Sequence, residues 1–351
     1  MILDLAQDPT KVDLEVSNDS LLLAIDRGNS GSKIAVSVNG RPLEPFKVPS
    51  VIRKVDEGKG LLKVNAQTYL CGESAISMTV GTTSTPLGEG DKIKNLSVVI
   101  AQVVSKILES RPLTNSLDLR LIVSSPFCSA VLTREVEAEV KKLENGFHVG
   151  SREFRVSVKS VATEFEGTVL LKSAEAYNGV IDIGFGTILA GYRKSSGKVE
   201  TTPLMGGDLG GCNLVINGLL SDPAFLAAVK KSGASAPPSA ERLSAKLSEG
   251  QLKVRDIDLK PLLKPHLGVL KTRIEDAASA VATQLRLDSL ASDNAASPKI
   301  ALVGGGAALL QAVLGDNLKT WLSKYHLEFY DQPDYQTAVV MQQIAKLGGN
   351  N

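Results

Sequence analysis

The sequence predicts an α/β protein in two similar halves, on three observations. Apolar runs of strand length alternate along the chain with stretches whose apolar residues recur at helical spacing. A strand ending in an aspartate, a turn of small residues and a returning strand open the first half at "LLLAIDRGNSGSKIAVSVNG" (21–40), and the pattern returns at "VIDIGFGTILAGYRK" (180–194). The chain, at 351 residues, is also longer than one ordinary hydrophobic core supports.

The elements follow in order. Residues 1–19 hold no sustained pattern and are expected to form a tail or an added edge segment, with strands at 20–26 and 33–40. "LLKVNAQTYLCG" (61–72) reads as a strand pair, and turn-rich "VGTTSTPLGEGD" (80–91) lies behind it. "LSVVIAQVVSKILES" (96–110) has the apolar spacing of an amphipathic helix, and "LDLRLIVSSP" (117–126) is a strand stopped by Pro126. "SAVLTREVEAEVKKLE" (129–144) reads as a helix, "FHVGSREFRVSVKSVAT" (147–163) as strands, and "EFEGTVLLKSAEAY" (164–177) as a helix. The second hairpin ends at a Ser-Ser-Gly turn, "DLGGCNLVINGLL" (208–220) should begin a helix, and "SGASAPPSAE" (232–241) is a loop. "LGVLKTRIEDAASAVATQLRL" (267–287) is a long helix, "KIALVGGGAALLQAVL" (299–314) is strand, glycine turn and helix, and "YQTAVVMQQIAKLG" (335–348) is a closing helix.

Composition narrows the function classes. Lys plus Arg number 39 against 38 for Asp plus Glu, a formal charge of +1, which gives no support for a wrapped nucleic acid or a membrane surface as the main partner. Cys71, Cys128 and Cys212 are odd in number and far apart, as expected in a reduced, cytoplasmic compartment. The first twenty residues carry acids where a signal peptide would carry an apolar core, and no apolar run reaches the roughly 18 residues of a membrane span, so a soluble protein is expected. His148, His266 and His326 are scattered and read as surface or packed imidazoles rather than ligands.

Three glycine-bearing turns carry the chemistry. A turn that wraps a phosphate must converge several backbone N–H groups, which calls for small side chains and for glycine where φ is positive. "DRGNSGSK" offers Gly28, Asn29, Ser30, Gly31 and Ser32 for this, with Lys33 to place a positive charge on phosphate. Asp26 cannot bind phosphate directly and suits a hydrated magnesium ion. "DIGFGT" repeats the logic with Asp182, Gly184, Phe185, Gly186 and Thr187. Either alone could be a polar hairpin; two such turns suit a metal–triphosphate held between halves. In "LVGGGAALL", Gly304, Gly305, Gly306 and Ala307 let another group lie flat against the backbone at a helix N-terminus. Neither the P-loop nor the Rossmann pattern is present.

In this order the three motifs resemble the first phosphate, second phosphate and adenosine motifs of the actin-like ATPase superfamily, over residues 20–349. The resemblance implies two lobes, each a ribonuclease H-like mixed sheet flanked by helices, with ATP or GTP and magnesium in the cleft. The expected division is an N-terminal extension at 1–19, lobe I at 20–175 with the closing helix 336–349 packing back on it, and lobe II at 176–335. "TYLCGESA", "LRLIVSSP" and "DYQTAVVMQQI" are most similar to the ParM-type plasmid-partitioning actins. The departures are the extra N-terminal residues and Arg27, set in the first phosphate loop where it would contact ATP or face solvent.

The same resemblance assigns roles. Asp26 and Asp182 would hold the magnesium hydration shell, and Asp182 would also serve hydrolysis. A glutamate before the second phosphate loop would align the attacking water; Glu164 is the choice, with Glu166 expected to face elsewhere as a simple helix charge. Adenine would lie on Gly304–Gly306 under the helix that carries Glu241, Arg242 and Lys246, candidates for contacting the ribose or base whose alternative is a solvated helix face. The implied activity is ATP-dependent filament assembly with hydrolysis driving disassembly, in DNA segregation through a small adaptor with no direct nucleic-acid contact. The alternatives are a cytoskeletal filament for cell shape and a monomeric small-molecule kinase of the same superfamily.

Overall fold

The computed structural model describes residues 18–28, 31–56, 61–77, 83–84, 92–126, 128–173, 175–202, 210–248, 250–292, 297–330 and 336–348. Most of the expected N-terminal extension, most of the turn-rich segment 80–91, and Asn29 and Ser30 of the first glycine turn lie outside these.

The first sheet is built around strand Asp19–Arg27, which pairs antiparallel with Gly31–Val38 and parallel with Ser116–Ser125. The last of these pairs parallel with the long strand Arg152–Phe165. Their apolar runs are nearly continuous rather than alternating because helices cover the sheet. Short antiparallel strands, among them Leu62–Val64 and Gln67–Cys71, extend it through Phe147–Val149. Helix Leu96–Leu108 buries almost its whole length in this sheet's core, joined by Val136 and Val140 of helix Ala130–Lys141.

The second sheet repeats the plan. Strand Gly179–Ile183 pairs antiparallel with Ile188–Arg193 and parallel with Ile300–Val303, and the latter pairs parallel with Leu327–Phe329. Helices Asn213–Leu220, Leu267–Ser292 and Gly305–Leu314 pack into a separate core with Phe225, Leu243 and Trp321. Each sheet therefore has an antiparallel hairpin whose first strand also pairs in parallel with a later one.

A third, smaller core joins the two. Ala24, Ala35 and Ile122 of the first sheet meet Val180, Ala301 and Val303 of the second across Val169–Leu171 and across Ala338, Val340 and Met341 of helix Gln336–Gly348. The far ends of the two hairpins, with Asp26 and Asp182, are thereby brought close together. Among the described residues no helix is long and apolar enough to cross a membrane.

One element departs from expectation. The described residues of 164–177 form no α-helix: Glu164 and Phe165 continue the strand opposite Ser124 and Ser125, Gly167 turns the chain at φ +74°, and a short 3-10 turn covers Thr168–Lys172. The apolar triplet Val169-Leu170-Leu171 is buried on consecutive residues. It fills the space between the sheets and needs no helical face.

Candidate functional site

Asp26 lies one residue from the end of its strand, directly opposite Lys33 in the hairpin register. Its carboxylate is buried, with Lys33 Nζ 2.9 Å from Oδ2, and the Ser124 hydroxyl on the parallel neighbour donates to Oδ1 at 2.6 Å. Burial works to raise this carboxyl, but Lys33, Lys92 and the Ser124 hydroxyl outweigh it and hold the group below its ordinary 3.8. In the adjoining turn, Gly28 N–H donates to the Gly31 carbonyl at 3.2 Å, and Ser50 Oγ donates to the Gly28 carbonyl at 2.6 Å.

Asp182 occupies the corresponding place in the second hairpin under opposite conditions. It is 4% exposed, and burial pushes its carboxyl up to about 7. Lys33 and Lys92 work against that rise, while the nearby carboxylates Glu166 and Asp26 add to it. Among the described residues Asp182 has no hydrogen-bond or ion-pair partner. Two glycines make room for it: a methyl at Gly304 would lie 2.3 Å from Asp182 Oδ1, and one at Gly167 would lie 2.7 Å from its Cβ. Gly304 also has φ +89°, a conformation open to glycine and strained for other residues.

The second turn is clamped from behind. Gly184 N–H donates to the Thr187 carbonyl at 2.9 Å, while Cys212 and Asn213 N–H donate to the carbonyls of Gly184 and Phe185 at 3.1 and 2.8 Å. Gly184, Gly186 and Thr187 are partly exposed, whereas the Phe185 ring is buried in the second core and can offer a ligand only its backbone. Gly305, Gly306 and Ala307 begin helix Gly305–Leu314, with Gly306 so close to Ile183 that a methyl there would meet Cγ2 at 2.2 Å. The third glycine turn therefore rests directly on the strand end that carries Asp182.

The structure brings Asp26, Lys33, Asp182 and the turns at 184–187 and 304–306 to one place, but not the residues expected to complete it. Glu164 gives its carboxylate to Lys172 at 2.6 Å, and Glu164 and Lys172 act electrostatically on Cys128. The carboxylate beside Asp182 is Glu166, which is 8% exposed and ion-paired with Lys92. The expectation that Glu166 faces elsewhere fails because Glu166 is the first residue beyond the strand, where the chain turns at Gly167, and its carboxylate acts on Asp182. Lys246 donates to Gln251 Oε1 at 3.1 Å. With Arg242, Pro237, Pro238 and Arg255 it lines a cavity of about 320 Å³ whose described lining includes none of the glycine turns. The side chain of Glu241 lies outside the described structure.

One functional candidate, Lys92, was missed in the sequence, and the place of Arg27 was left open there. Lys92 sits in an unpatterned segment ahead of helix Leu96–Leu108, and only the fold shows its partner. Arg27 does not face solvent: it is 1% exposed, and its Nη1 donates to the carbonyls of Lys92 and Lys94. Among the described residues no group of three or more His, Cys, Asp or Glu could hold a metal ion by itself.

No protein-family model and no curated protein matches this chain. Solved structures match it along nearly its whole length. An archaeal actin homolog, Ta0583, is similar with a TM-score of 0.60 and 17% identity, covering 93% of this chain and 99% of its own. The MamK double helical filament matches at TM-score 0.58 and 16% identity, covering 93% of this chain and 99% of that one. Bacillus thuringiensis ParM with ATP matches at TM-score 0.56 and 14% identity, covering 95% of this chain and 100% of its own.

Proposed function

The fold is the two-lobed actin-like fold, and from that premise we propose that the chain binds a nucleoside triphosphate between its sheets, hydrolyses it, and assembles with itself into filaments under control of that cycle. The observation that carries this is the convergence of two strand-end aspartates, Lys33 and the glycine turns at one point between the sheets. ParM solved with ATP and a MamK filament among the structural neighbours support both halves of the reading.

The residues fit a magnesium ion held through water. Asp182 is a buried carboxylate raised by desolvation and without a cation of its own, and Asp26 is the second acid nearby. Two carboxylates suit an ion that keeps most of its waters and shares the phosphates, as magnesium does. That ion would offset phosphate charge.

Lys33 and the backbone N–H groups of the turns would hold phosphate oxygens. Hydrolysis then requires a water aligned behind the terminal phosphorus. The water oxygen bonds to phosphorus as the bond to the bridging oxygen breaks, the nucleoside diphosphate leaves, and the water's protons pass to the phosphate and to solvent. Glu166, in place of Glu164, is the group we assign to orient that water, because the Glu166 carboxylate acts on Asp182 while that of Glu164 is held by Lys172. Adenine is placed on Gly304–Gly306, without Lys246. Segregation of DNA through a small adaptor is the cellular task we favour, since a formal charge of +1 leaves DNA contact to another protein.

The test compares Glu166→Gln with Glu164→Gln. Glu166→Gln is expected to bind nucleotide within about threefold of wild type while hydrolysis falls about 10²-fold, since a water-orienting group acts in the transition state. Glu164→Gln is expected to hydrolyse at close to the wild-type rate. The reverse pattern returns the role to Glu164.

A further inference from the structure

The buried pair between Lys92 and Glu166 is unused by the scheme above. Both residues are 8% exposed, and they come from elements far apart in sequence. The backbone around Glu166 is already fixed, its N–H donating to the Ser125 carbonyl at 2.9 Å and its carbonyl accepting from Thr168 N–H at 2.8 Å. What remains free is the direction of the carboxylate, and Lys92 sets it.

The charges around it give the lysine a reason. Asp26 and Glu166 both act on Asp182, and Lys33 already sits on Asp26. A buried carboxylate without a cation beside it swings toward water. An ammonium group on Glu166 opposes that. Lys92 is placed in turn by Arg27, whose single Nη1 bridges the carbonyls of Lys92 and Lys94. A continuous set of contacts thus runs from the residue after Asp26, through the segment ahead of helix Leu96–Leu108, to the carboxylate beside Asp182.

We propose that Lys92 is a positioning residue for hydrolysis, holding the Glu166 carboxylate toward the terminal phosphate, and that Arg27 holds Lys92 in place. This rests on the assignment of Glu166 to the attacking water.

Lys92→Met, Lys92→Arg, Glu166→Gln and the double variant Lys92→Met/Glu166→Gln are compared for affinity toward a fluorescent ATP analogue, for kcat, and for melting temperature without nucleotide. Lys92→Met is expected to keep its affinity within about threefold and to lose about tenfold or more in kcat, with Lys92→Arg regaining most of it. The double variant is expected to turn over no more slowly than Glu166→Gln and to melt above Lys92→Met, because it buries no unpaired carboxylate. Wild-type turnover in Lys92→Met, or lost affinity at unchanged kcat, overturns the proposal; the second result makes Lys92 a phosphate ligand. So does a double variant well below Glu166→Gln in kcat. Should Lys92→Met fail to fold, the double variant against Glu166→Gln decides alone, equal turnover supporting the proposal and a further large loss overturning it. Glu166→Gln with wild-type turnover overturns the underlying assignment and this proposal together, whereas an impaired Glu166→Gln beside an unimpaired Lys92→Met overturns this proposal only.

Discussion

Asp182 lies between Gly167 and Gly304 with burial pushing its carboxyl up to about 7, while Asp26, equally buried, is held below 3.8 by Lys33, Lys92 and Ser124. The two aspartates look alike in sequence and differ because one has its cation supplied by the chain. A carboxylate in the position of Asp182 costs stability until a ligand brings a cation to it. Asp182→Asn is therefore expected to raise the melting temperature of the nucleotide-free protein by a few degrees, on the order of 1–2 kcal/mol in a chain of this size. The same variant should lose magnesium-dependent hydrolysis, and calorimetry beside a phosphate-release assay reads both effects. At this scale both aspartates, Lys33 and the glycines were legible because each stands in a local pattern. Lys92 was not, nor were the partners of Arg27, since these are set by long-range packing that spacing does not record.

Helix Pro223–Lys231 shows how one side chain ties an element to its neighbour. Asp222 caps it, accepting from Ala224 N–H at 2.7 Å through Oδ1, and its Oδ2 is 2.8 Å from His266 Nε2. The His266 contact first, and then the Ala224 amide, holds the Asp222 carboxyl below its ordinary 3.8. A depressed carboxyl contributes stability that is present above the unfolded value and lost as pH falls through the folded one. Asp222→Asn is thus expected to melt below wild type at neutral pH, with the difference closing below about pH 4; thermal melts across that range check it. Such elements were legible wherever periodicity was strong: the hairpin at Asp26–Lys33, the helix at Leu96 and the closing helix all stand close to where the pattern put them. The segment 164–177 was misread because "EFEGTVLLK" has helix-forming composition, while pairing with Ser124 and Ser125 and the positive φ of Gly167 override it. The turn at Glu166 and Gly167 was also not legible, and it is what sends Glu166 rather than Glu164 toward Asp182.

Two sheets with the same hairpin plan meet across a small shared core made by the 3-10 turn at Thr168–Lys172 and the closing helix. The duplication was legible from two short matches, and the contact between halves was implied by the need to bring both aspartates to one ligand. What the sequence did not show is which side chains join the halves: Ala24, Ala35 and Ile122 of one sheet with Val180, Ala301 and Val303 of the other. A ligand shifts assembly only through its different affinity for two states, so a nucleotide that draws the sheets together must alter the surface offered to the next subunit. The central claim is that nucleotide held at this point drives self-assembly. High-speed pelleting over a range of protein concentrations, with ATP and magnesium, with ADP and without nucleotide, tests it most directly. The account expects sedimentation with ATP above a critical concentration, little with ADP or none, and Glu166→Gln polymer that outlasts wild type. Protein that stays in the supernatant with ATP well above micromolar concentration, while still binding the nucleotide, would contradict it.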